Sequence, residues 1–136
     1  MITTTAYQDT PTKAVDVEGV PFAYRDLGPR TGTPVVFLNH LAAVLDNWDP
    51  RVVDGLASQH RVITFDNRGV GASQGTTPSS IAEMADDAVA FIQALGFEQG
   101  DLLGFSMGGF VAQVIAAEHP ELVRKVILAG TGPAGG

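Results

Sequence analysis

The residues best suited to do chemistry are Gly104-Phe105-Ser106-Met107-Gly108, a Gly-x-Ser-x-Gly pattern set between an apolar run and an amphipathic one. A serine on a sharp strand-to-helix turn has its hydroxyl pushed into the open, and the flanking glycines remove side chains that would collide where strand and helix meet. Such an alcohol suits attack on a carbonyl carbon. The helix that follows aims its amino terminus at the same point, so the Met107 N–H can stabilise negative charge developing on the substrate oxygen. A serine hydroxyl is a poor nucleophile until a base takes its proton. Of the three histidines, His40 follows one apolar run, His60 precedes another and His119 ends the helix beginning at the serine. A structural alternative is that Ser106 only caps the helix while the glycines ease the corner.

Two rival motifs fail on context. No Gly-Lys-Ser/Thr follows to make a phosphate loop. A literal Gly-x-Gly-x-x-Gly at 130–135 has no helix after it to supply an anion site, so it reads as chance.

Strands and helices alternate around the serine. Segments around Val15 to Glu18 and Phe22 to Arg25 predict a hairpin, and Pro34 to Asn39 and Arg61 to Asp66 read as strands buried on both faces. Between them, Trp48, Val52, Val53, Leu56 and Ala57 recur at helical spacing, with Pro50 limiting where that helix begins. Ser80 and Glu83 form a capping-box pattern. Ile81, Met84, Ala85, Ala88, Val89, Ile92 and Leu95 then share one helical face, which Gly96 stops. Asp101 to Phe105 predicts the strand before the serine. The helix after it, with apolar residues Met107, Phe110, Val111, Val114 and Ile115, is expected to end near Glu118, since Pro120 disfavours helical geometry at His119. Val123 to Ala129 predicts a last strand. The expected fold class is α/β, a mostly parallel sheet with helices on both faces and an antiparallel hairpin at its start. Asn39, Asp66, Ser106 and Gly130 then fall at the active, carboxyl end of the strands.

The chain has 136 residues, 45% of them hydrophobic and 17% charged, which fits a single folded domain over 1–136. Residues 1–12 are expected to be flexible and 130–136 frayed. A net charge of −7 without a Lys/Arg cluster removes the footprint that nucleic-acid or anionic-membrane binding needs. With no cysteine there is no disulfide, zinc-thiolate site or catalytic thiol. No signal-peptide pattern opens the sequence, and no run approaches the roughly 18 apolar residues of a membrane span. A cytoplasmic protein acting on a small molecule is the expectation, with no metal and no cofactor called for.

Three stretches together resemble the α/β-hydrolase superfamily over nearly the whole chain. They are Leu102-Leu103-Gly104-Phe105-Ser106-Met107-Gly108-Gly109, Phe65-Asp66-Asn67-Arg68-Gly69-Val70-Gly71-Ala72-Ser73, and Phe37-Leu38-Asn39-His40-Leu41 leading to Asn47-Trp48-Asp49-Pro50. Within it the sequence is similar to small esterases, enol-lactonases and cofactor-free haloperoxidases. The resemblance implies Ser106 as nucleophile and the Leu41 N–H as an oxyanion donor beside that of Met107. It makes His40 a candidate substrate contact, against the plainer reading of a histidine packed in its loop, and gives Asp66 a structural part. It also implies that the triad's acid and histidine follow the sixth strand, where this chain offers no candidates. One expectation is therefore the nucleophile-bearing portion of an ester or lactone hydrolase, completed by further polypeptide. The other is a non-catalytic binding module on the same scaffold. On both readings Val126-Ile127-Leu128 forms a bare apolar sheet edge, open to self-association or to a complementing C-terminal portion.

Overall fold

The computed structural model describes residues 6–39, 44–75 and 80–129. Its strands are β1 (Lys13–Val17), β2 (Val20–Leu27), β3 (Val35–Leu38), β4 (Val62–Phe65), β5 (Gly100–Phe105) and β6 (Val123–Ala129). The helices are α1 (Pro50–Ala57), α2 (Ile81–Ala94) and α3 (Met107–Glu118). One sheet runs in the order β1-β2-β4-β3-β5-β6. β1 pairs antiparallel with β2 and β2 with β4, while β3 is parallel to β4 and β5, and β5 to β6. The expected α/β class, with its antiparallel hairpin, is what forms.

Local chemistry sets the boundaries. The β1–β2 turn is made by Glu18 and Gly19, both at positive φ (52° and 88°), so Glu18 belongs to the turn and not to the first of the two predicted hairpin segments. Pro50 is the first residue of α1, where its missing N–H costs nothing, and Asp49 caps that helix by accepting from the Arg51 N–H at 2.9 Å. The Ser80 side chain accepts from the Glu83 N–H at 3.1 Å and so starts α2 as its capping pattern predicts.

Two apolar layers sandwich the sheet. On one face α2 and α3 bury Met84, Ala88, Phe91, Ile92, Val111, Ala112 and Ile115 against Phe22, Val36, Ile63, Phe65 and Leu102. Phe91, missing from the predicted helix stripe, is its largest buried residue and stacks on Phe65 at 4.3 Å. Met107, predicted on the apolar face of α3, is instead 37% exposed, because the first turn meets the sheet through Gly108 and Gly109. On the other face α1 packs Val53 and Ala57 with Val35, Phe37, Trp48, Val62 and Leu103. Tyr7 joins this layer at 1% exposure, its hydroxyl bonding the Leu45 carbonyl and lying 3.0 Å from Thr64 Oγ1. That part of the segment expected to be flexible is therefore packed.

The chain leaves β3 toward β4 on one side, whereas β5 continues to β6 on the other. Connections diverge between β3 and β5, opening a crevice at their carboxyl ends where ligands of open parallel sheets bind. Ion pairs hold the opposite end. Arg61 binds Asp26 at 3.0 and 2.7 Å, and Arg124 binds Asp101 at 3.0 and 2.7 Å.

Candidate active site

Ser106 occupies the turn between β5 and α3, at the crevice, with φ 55° and ψ −120°. A non-glycine residue rarely adopts this backbone, and holding it there costs about 1–3 kcal/mol, compensated by surrounding structure. The compensation is visible. The Ser106 N–H donates to the Ala129 carbonyl at 3.0 Å, tying the turn to β6, and the Ser106 carbonyl accepts from the Gly109 N–H at 3.0 Å. The side chain makes no cap hydrogen bond and is half-exposed. The capping alternative therefore fails: the hydroxyl is left over for something else.

The two glycines work by close approach. A Cβ on Gly104 would lie 2.5 Å from the Gly108 carbonyl oxygen, inside the first turn of α3. One on Gly108 would lie 1.9 Å from the Leu38 carbonyl oxygen, at the end of β3. Gly104 thus lets helix follow strand, while Gly108 lets that helix slide over the neighbouring strand. The Met107 N–H is the first amide of α3, among those helix geometry leaves without an intrahelical partner, and it sits at the positive end of the helix dipole.

Beside the turn, the β3–α1 connection is held at its base. Asn39, 7% exposed, donates through Nδ2 to the Val44 carbonyl at 3.3 Å, and Asn47 Oδ1 accepts from the Val44 N–H at 2.8 Å. Asp66, 3% exposed at the end of β4, accepts from the Leu45 N–H at 2.7 Å and the Ala72 N–H at 2.9 Å. It therefore anchors two loops, its own and the β3–α1 connection. Gly71, at φ 57°, is needed there because a Cβ would meet Asp66 Oδ2 at 2.5 Å. Ser73 completes the knot by donating to the Asp66 carbonyl and accepting from the Ala23 N–H. His40 and Leu41, the expected substrate contact and second oxyanion donor, lie outside the described residues, as does Gly130.

His60 is exposed just before β4, at the far end of the sheet. His119 ends α3, about 20 Å along the helix from Ser106, and its Nδ1 stands 3.6 Å from Glu121. Neither can take the Ser106 proton. Among the described residues no imidazole and no carboxylate is paired with the serine.

Charge around the scaffold follows its contacts. Burial raises the Asp26 pKa, but hydrogen bonds from Arg61 and Arg30 outweigh it and hold the carboxyl below its ordinary range. Burial raises that of Asp87 despite its contact with Arg68 at 3.1 Å. Next to the serine, an apolar cavity of about 420 Å³ opens against α1, lined by Asn39, Asn47, Trp48, Asp49, Val52, Leu103, Phe105 and Ala129.

A family model described as alpha/beta hydrolase fold matches residues 33–135. The solved alpha/beta hydrolase fold protein from Chitinophaga pinensis is 43% identical, superposes with a TM-score of 0.92, and is matched over 95% of this chain and 47% of its own. The solved enol-lactonase from Burkholderia xenovorans LB400 is 30% identical, with a TM-score of 0.73, over 85% of this chain and 45% of its own. The non-heme chloroperoxidase of Streptomyces lividans is 36% identical over 118 residues, 85% of this chain and 43% of that protein. The chain spans less than half the length of each. No described helix is long and apolar enough to cross a membrane.

Proposed function

The chain belongs to the α/β-hydrolase fold family, and from that premise we propose that it carries the nucleophile of a hydrolase acting on small carboxylic esters or lactones. The observation that supports this most is the Ser106 side chain, held on a strained backbone at a helix amino terminus and making no cap hydrogen bond. The enol-lactonase among the relatives supports the substrate class.

In the proposed reaction Ser106 Oγ forms a bond to the carbonyl carbon while its proton passes to a base. The carbonyl oxygen becomes an oxyanion facing the Met107 N–H, with the Leu41 N–H as second donor. Collapse breaks the bond to the alcohol oxygen, which takes the proton from the protonated base, and leaves an acyl-serine. Water, deprotonated by the same base, then releases the acid and frees the serine. His40 is proposed to touch the substrate. The base and the acid that orients it come from polypeptide other than the described residues.

The test joins this chain to the C-terminal remainder of the Chitinophaga pinensis relative and supplies p-nitrophenyl acetate. A burst of nitrophenol and an acetyl group on the peptide bearing Ser106 are expected, both lost in Ser106→Ala. Turnover that survives Ser106→Ala would refute the proposal. The Streptomyces lividans relative favours a second reading, peroxide-dependent halogenation without haem at the same serine; halide incorporation in the absence of ester cleavage would select it.

A further inference from the structure

The residue that follows Ser106 is a methionine that packs little. The sequence holds three methionines, Met1, Met84 and Met107, and no cysteine. Met84 is held at 3% exposure between α2 and the sheet, whereas Met107 is 37% exposed, because the first turn of α3 meets the sheet through Gly108 and Gly109. Side chains of a helix lean toward its amino terminus. As the first residue of α3, Met107 has no earlier turn to lie on, so its thioether leans toward Ser106 and the crevice at the carboxyl ends of β3 and β5. A thioether is soft and polarisable, and in a chain without thiols it is the side chain that a peroxide oxidises. Any route that brings an ester carbonyl to Ser106 Oγ also admits a molecule as small as hydrogen peroxide to its neighbour.

We propose that Met107 is a redox-sensitive modification site, at which oxidation of the thioether to the sulfoxide by hydrogen peroxide switches Ser106 off. The switch rests on the reading of Ser106 as nucleophile. A sulfur lone pair forms an S–O bond to one peroxide oxygen, the O–O bond breaks, and the departing hydroxide takes the proton from the transferred oxygen to leave as water. Sulfur loses the two electrons that the peroxide gains, so no further reactant is needed. The product places a strong acceptor oxygen at the positive end of the α3 dipole, where the first N–H groups of the helix lack intrahelical partners. There it competes with the substrate oxyanion for the Met107 N–H and opposes the charge that develops in acylation. The fold is left intact, since Met107 belongs to neither apolar layer. Sulfoxide reductases restore the thioether, which makes the change reversible.

The test treats the chain with dilute hydrogen peroxide and maps its peptides. The added oxygen is expected on Met107 about tenfold or more faster than on Met84, with the midpoint of urea unfolding unchanged. In the fusion of this chain to the C-terminal remainder of the Chitinophaga pinensis relative, fluorophosphonate labelling of Ser106 should slow about tenfold or more as Met107 is oxidised, and should recover with the pair of methionine sulfoxide reductases that act on the two sulfoxide epimers. A Met107→Leu fusion, compared only with itself before and after peroxide, should keep its own rate. Oxidation of Met107 no faster than that of Met84 would overturn the proposal, as would a loss of labelling that Met107→Leu shares. A folded, untreated fusion that does not label overturns the reading of Ser106 and the switch with it. One that labels at the same rate before and after full conversion of Met107 overturns the switch alone.

Discussion

Two polar side chains stand at the carboxyl ends of parallel strands, and their surroundings are opposite. Asp66, after β4, is buried, and its two carboxylate oxygens accept backbone N–H groups from two different loops. Ser106, after β5, is half-exposed, makes no cap hydrogen bond and sits on a backbone that favours glycine. The first residue holds structure together and the second is held by structure. A polar group whose partners are all scaffold atoms contributes stability. One that is strained and unpaired contributes none, and the chemistry proposed for Ser106 gives such a group a use.

The largest expected effect tests how the strain is held. Gly108→Ala puts a Cβ inside contact distance of the Leu38 carbonyl and should destabilise by about 3 kcal/mol or more, read from the midpoint of urea unfolding. An unchanged midpoint would mean that α3 does not lie on β3 as described. Next comes Asp66→Ala, which leaves the Leu45 and Ala72 N–H groups without their acceptor and should cost about 2 kcal/mol or more. Hydrogen exchange should rise at both amides; protection retained there would make Asp66 no anchor.

Smaller still is Asp26→Asn. The Asp26 pKa is lowered in the folded chain, so its carboxylate adds stability that is complete above its unfolded value of about 4 and fades as pH falls through the lower folded value. The gap in thermal midpoint between wild type and variant should therefore narrow under acid conditions. A gap that widened there would reverse the assignment. The smallest change in stability belongs to the serine. Ser106→Ala removes no cap bond and should shift stability by less than about 0.5 kcal/mol, whereas Ser106→Gly should be more stable than Ser106→Ala by about 1 kcal/mol through relief of strain. Equal stabilities would remove the strain from this account.

Much of the arrangement was legible in the sequence because it rests on local rules. Ser80 with Glu83 fixed the start of α2, Pro120 the end of α3, and unbroken apolar runs the buried parallel strands. Gly104 and Gly108 marked a close contact, although only the fold identifies Leu38 as what Gly108 must clear. Contacts between distant segments had no such signal. Nothing in the sequence links Tyr7 to Leu45 and Thr64, whereas Phe91, seven residues after Met84 and three after Ala88, stands at helical spacing on the buried stripe although the predicted stripe omits it. Asp66 was readable as a loop anchor, but its hold on Leu45 required β4 and the β3–α1 connection to be brought side by side. Asn39 carried no pattern that announced a polar latch.

The most direct test of the central claim is reaction with a fluorophosphonate, followed by peptide mapping, in this chain fused to the C-terminal remainder of the Chitinophaga pinensis relative. The account predicts one adduct per chain, on Ser106 Oγ, lost in Ser106→Ala although that variant remains folded. Modification at another residue, or a folded fusion that does not react, would contradict it.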